Sequence, residues 1–92
     1  MTIKLVKSDT NAFVLRELPA TIGRAPESAV HISDRWLSRQ HCEIYRFEKA
    51  VVVRDLDSTH GTYVNGEKVS EVELQPGDRI SVGLSTFVAQ FA

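Results

Sequence analysis

Two serine and histidine pairs invite a chemical reading: Ser38 lies three residues before His41, and Ser58 two before His60, with Asp55 and Asp57 close by. These are the ingredients of a nucleophile, its general base and an orienting carboxylate. A serine hydrolase built on a sharp turn would show Gly-x-Ser-x-Gly, and no such run occurs, nor does any recognisable oxyanion-hole motif. No catalytic residue is therefore assigned, and the chain is not read as an enzyme. His31, His41, Cys42 and His60 could in principle ligate zinc, but the usual Cys-x-x-Cys and His-Glu-x-x-His spacings are missing, and strand neighbours 41 and 42 would point to opposite faces. No metal and no cofactor is expected.

Anion binding needs less. Gly23-Arg24 follows a strand-like Thr21-Ile22, and the polar stretches DRWLSRQH (34–41) and DSTHGTYVNG (57–66) supply hydroxyls. Arg24 can offer two parallel charged hydrogen bonds to a phosphate, Ser38 and Thr59 can donate from their hydroxyls, and loop N–H groups can complete a cradle. A phosphomonoester carries about −1.5 to −2 charge and three acceptor oxygens, which one arginine and several neutral donors would complement. Taken alone, Gly23-Arg24 reads as a solvated arginine after a turn glycine.

Something must bring these loops together, and the remaining sequence points to strands. IKLV, AFVLREL, HCEIYRF, VVVRDL, RISV and STFVAQF are short runs rich in β-branched and aromatic residues, bounded by turn residues. No window carries a sustained helical pattern with caps; SDRWLSRQH is long enough only for a turn. Asn65-Gly66, within VNGE, predicts a two-residue hairpin in which both residues take positive φ. Many short strands with polar breaks predict an all-β sandwich or barrel, whose loops collect at its two ends.

The 92 residues suit one domain, 1–92, with one modest core. Residues 1–54 carry 9 Lys/Arg against 6 Asp/Glu and residues 55–92 carry 2 against 6, so the net charge of −1 conceals a polarised chain. That pattern fits a local anion site better than a nucleic-acid footprint, and no ladder of stacking aromatics accompanies it. No apolar run approaches the roughly 20 residues of a membrane helix, and the N-terminus lacks a signal-peptide core. The lone Cys42 cannot form an internal disulfide and reads as a small core residue. A soluble, cytoplasmic monomer contacting neither membrane nor nucleic acid is expected.

Gly23-Arg24, Ser38-Arg39-Gln40-His41, Ser58-Thr59-His60-Gly61-Thr62 and Asn65-Gly66, in this order and at these intervals, resemble the forkhead-associated (FHA) domain, and the likeness spans nearly the whole chain. The resemblance implies a β-sandwich of about eleven short strands. Its loops at one end would bind phosphothreonine in a partner protein modified by a Ser/Thr kinase, making the chain a signalling adaptor. It further implies that Arg24, Ser38 and Thr59 contact the phosphate, with Arg39 and His60 adding phosphate or peptide contacts. Gly23, His41, Ser58, Gly61, Thr62, Asn65 and Gly66 would shape and hold the loops and the hairpin. His60 departs from the asparagine often found at its position, which leaves the detail of the peptide contact open. Asp55 and Asp57 are expected to brace their loop, and Trp36 either to pack as a lid over the loop base or to stand exposed near the peptide groove. The alternative is an FHA-like structural module that docks an unphosphorylated partner or itself.

Overall fold

The computed structural model describes residues 2–8 and 10–92. Eleven strands run in chain order: β1 (Ile3–Ser8), β2 (Asn11–Leu15), β3 (Ala20–Gly23), β4 (Val30–His31), β5 (Cys42–Phe47), β6 (Ala50–Asp55), β7 (Thr62–Val64), β8 (Glu67–Val69), β9 (Glu71–Leu74), β10 (Arg79–Val82) and β11 (Ser85–Phe91). They form two sheets, a six-stranded β2-β1-β11-β10-β7-β8 and a five-stranded β4-β3-β5-β6-β9. The expected all-β sandwich is found. No helix among the described residues is long and apolar enough to cross a membrane.

Alternation within the strands decides what lies between the sheets. On the five-stranded sheet Ile44 sits opposite Val53, and on the six-stranded sheet Ile80 sits opposite Phe87; all four are fully buried. Each such aliphatic or aromatic side chain contributes about 1.5–3 kcal/mol through burial. Cys42 joins this core, as its alternation with Glu43 predicts, and burial pushes its thiol up to about 12.

Strand direction then fixes where the loops go. The pairs Ile22 with Cys42, Cys42 with Asp55, Val82 with Thr62 and Val82 with Ser85 sit at matching strand ends. The β3–β4, β4–β5 and β6–β7 connections and the β10–β11 turn consequently gather at one end of the sandwich. The hairpin predicted at Asn65-Gly66 joins β7 to β8 with φ of 52° and 85°. Asn65 braces the far end of β7: its side chain donates to Asp78 and accepts the Arg79 backbone N–H. It thus holds the β9–β10 turn rather than the Ser58–Gly61 loop.

Candidate functional site

The β3–β4 loop leaves the sheet through Gly23, whose place is set by space. A Cβ there would stand 2.1 Å from the Arg39 carbonyl oxygen, well inside van der Waals contact. With no side chain at 23, the two loops lie against each other through backbone bonds from Arg24 N–H to the Ser38 carbonyl (3.1 Å) and from Ala25 N–H to the Arg39 carbonyl (3.0 Å). Arg24 itself is exposed, and its Nε–H donates to the Leu37 carbonyl at 3.2 Å. That bond orients the guanidinium plane while leaving its Nη groups for a ligand.

His41 is fully buried, and both of its ring nitrogens are engaged. Nδ1 accepts the Ser38 backbone N–H at 3.1 Å, so Nε2 carries the proton and donates to the Gly61 carbonyl at 2.8 Å. The imidazole therefore ties the loop bearing Ser38 to the loop bearing Thr59. Neither nitrogen is left to act as a base for the Ser38 hydroxyl.

The β6–β7 loop is organised by Asp55. Its Oδ1 accepts from the hydroxyls of Ser58 (2.6 Å) and Thr62 (2.7 Å), and its Oδ2 from the Ser58 backbone N–H (3.1 Å). Burial raises the Asp55 carboxyl, but these three bonds outweigh it and hold the group below its ordinary value. Ser58 Oγ in turn accepts the Gly61 N–H at 2.9 Å, and Gly61 has φ of 90°, a left-handed conformation that favours glycine. Asp55, Ser58, Gly61 and Thr62 are thus linked in one hydrogen-bonded loop. Asp57 contributes through its backbone, which takes a φ of 61° at the start of the loop.

These braces deliver Ser38 and Thr59 to one another. Ser38 Oγ accepts the Thr59 backbone N–H at 3.0 Å, leaving the Ser38 hydroxyl proton free to donate outward. Around the pair opens a cleft of about 320 Å³ whose polar lining includes Arg24, Ser38, Arg39, Thr59 and His60. All five residues expected to meet the ligand are brought together. Arg35 adds a third guanidinium, and no carboxylate lines the cleft.

Of the lining residues, Arg35 was not singled out by the sequence. Trp36 takes the exposed of its two expected places: it is 41% exposed and stands edge-on to His60 at 5.2 Å between ring centroids, with the Arg35 guanidinium 5.1 Å from its own ring. Asp34 sets its position: Oδ1 accepts the Trp36 N–H and Oδ2 the Leu84 N–H, both at 2.8 Å, clamping the β4–β5 loop to the β10–β11 turn. The Leu84 and Trp36 N–H groups, in that order, lower the Asp34 carboxyl. Beside Trp36 a further recess of about 540 Å³ is lined by Lys7, Asp34, Arg35 and Leu84 among others. The signal for Arg35 and Trp36 lay in the spacing of DRWLSR, which flanks Ser38 with arginines on both sides.

The FHA domain family profile matches residues 20–83. An oxoglutarate dehydrogenase inhibitor from Corynebacterium efficiens is 40% identical over 82 residues, covering 86% of this chain and 58% of that protein. The chain thus spans little more than half the length of that curated relative. A structure from work on phosphothreonine-dependent FHA domain interactions superposes with a TM-score of 0.91 at 32% identity, covering 100% of this chain and 98% of the other. Mycobacterium tuberculosis EmbR in complex with a low-affinity phosphopeptide superposes with a TM-score of 0.93 at 26% identity, over 99% of this chain and 24% of EmbR.

Proposed function

Because the chain belongs to the FHA domain family, we propose that it is a phosphothreonine-dependent protein-interaction module that binds phosphorylated segments of partner proteins in the cleft around Ser38 and Thr59. The observation that carries this reading is the convergence of three guanidinium groups and two hydroxyl side chains on one carboxylate-free cleft. A dianionic phosphate with three acceptor oxygens is the ligand such a lining complements. Arg24 grips the phosphate through its Nη groups, Ser38 and Thr59 donate their hydroxyls, and Arg39 adds charge from the rim. His60 meets the peptide beside the phosphothreonine.

The module binds without chemistry. Ser38 has no base, since both nitrogens of His41 are engaged elsewhere, and the Ser58 hydroxyl is committed to Asp55. Relatives named as an inhibitor and as a glycogen accumulation regulator accord with a regulatory part. In the cell the module is an adaptor that reads the product of a Ser/Thr kinase in the cytoplasm.

Fluorescence anisotropy with oriented phosphothreonine, phosphoserine and unphosphorylated peptide libraries tests the proposal. Saturable binding confined to phosphothreonine and lost in Arg24→Ala is the expected result. Binding indifferent to phosphate and to Arg24 would overturn it in favour of a module that docks an unphosphorylated partner.

A further inference from the structure

The outward face of the five-stranded sheet carries a second concave surface. Tyr45 on β5 sits opposite Val52 on β6, and Phe47 opposite Ala50, so these residues share the face turned away from the core. With Val72, Glu71 and Glu73 of β9, Tyr45, Phe47 and Val52 line a cleft of about 300 Å³. Phe47 is 62% exposed, and with Tyr45 and Val52 it makes the apolar part of the cleft contiguous. It lies at the end of β5 remote from Cys42 and therefore from the phosphate loops.

The walls of this cleft are held in place. The Tyr45 hydroxyl donates to Glu71, while Arg54 pairs with Glu43 and lies 5.2 Å over the Tyr45 ring. Beyond Phe47 the chain reverses through Glu48, a non-glycine residue with φ of 55°.

Charge decides what fits. Glu71 and Glu73 are the charged residues lining the cleft, and the cation beside it, Arg54, cross-strand from Glu71, is already paired with Glu43 and stacked on the Tyr45 ring. A second copy of the chain presenting the same face would set like charges against each other, and an anionic lipid surface would be repelled in the same way. Carboxylates on an edge strand such as β9 also deter strand pairing, but that role does not call for an exposed phenylalanine beside them.

We propose that this face is a second docking surface, independent of phosphate, which takes an aliphatic or aromatic side chain flanked by lysine or arginine from a partner protein. The apolar floor formed by Phe47, Val52 and the Tyr45 ring receives the side chain, and Glu71 and Glu73 pair with the basic flanks. The module then holds two partner segments at once, one by phosphothreonine and one by this face.

The test uses two unphosphorylated, fluorescein-labelled peptide pools, each with a fixed leucine or phenylalanine, flanked in one pool by Lys/Arg and in the other by Asp/Glu. Anisotropy is measured for the unmodified chain, for Phe47→Ser and for the Glu71→Gln/Glu73→Gln double variant; all three positions are exposed, so the fold is retained. Saturable binding of the basic pool alone, weakened by salt and about tenfold or more weaker in both variants, is expected. Failure of the basic pool to bind, equal binding of both pools, or unchanged binding in Phe47→Ser would overturn the proposal.

Discussion

The Ser38 hydroxyl oxygen accepts the Thr59 backbone N–H at 3.0 Å, joining two loops whose contact residues are 21 positions apart. In the proposed function that one oxygen atom serves both the architecture of the cleft and the phosphate. Ser38→Ala then removes the proposed donor to phosphate and the acceptor for Thr59 together. Hydrogen bonds to charged groups contribute about 1.5–3 kcal/mol, so phosphopeptide affinity should fall by roughly 10- to 150-fold. Calorimetric titration checks the number, with circular dichroism expected to show an intact sandwich.

Arg24→Lys keeps the charge but loses the fork. Lysine cannot both hold the Leu37 carbonyl through Nε and present two parallel donors to an anion. Binding by Arg24→Lys should resemble that of Arg24→Ala more than that of the unmodified chain. Near-normal affinity in the lysine variant would show that charge alone suffices.

His41→Ala should act on stability first. It strands the Ser38 N–H and the Gly61 carbonyl around a fully buried cavity. Unsatisfied buried groups cost about 1–3 kcal/mol each, before any cavity term. Urea denaturation should report a loss of about 2–5 kcal/mol, and phosphopeptide affinity should fall as the two loops separate.

The difference between these variants mirrors what was legible in the sequence. Arg24, Ser38 and Thr59 stood in motifs, and the cleft does gather them. The hairpin at Asn65-Gly66 was legible because positive φ at both turn residues restricts their identity. Strands β4 and β9 were not read: β4 has two residues and exists by its parallel pairing with β3, while β9, Glu-Val-Glu-Leu, alternates but carries glutamates, which are depleted in strands. The choice between the two expected places of Trp36 was hidden, because the loop that carries it is clamped by Asp34 accepting the Leu84 N–H from 50 residues away. Long-range hydrogen bonds of this kind leave no local pattern. The cleft shared by Phe47, Glu71 and Glu73 was equally silent, since sheet order alone sets β5 and β9 on either side of β6.

Acid should weaken the site before it weakens the core. Asp55 is held below its ordinary value despite the opposing effect of burial, and Asp34 is lowered chiefly by the Leu84 and Trp36 N–H groups. Their stabilisation is fully present above the unfolded carboxyl value of 3.8 and is lost as pH falls through the lower native values. Urea midpoints should therefore decline as pH drops below about 4, and Asp55→Asn should flatten that decline while lowering stability at neutral pH. A midpoint in Asp55→Asn with the same acid slope as the unmodified chain would remove Asp55 from the account.

The most direct measurement of the central claim is an amide ¹H–¹⁵N correlation titration with one phosphothreonine peptide, repeated after the peptide is dephosphorylated. The structure predicts saturable shifts concentrated at residues 24–25, 35–41 and 58–61, with the Thr59 amide among the largest, and their disappearance without phosphate. Shifts that persist with the dephosphorylated peptide, or that spare Ser38 and Thr59, would contradict phosphate recognition in this cleft.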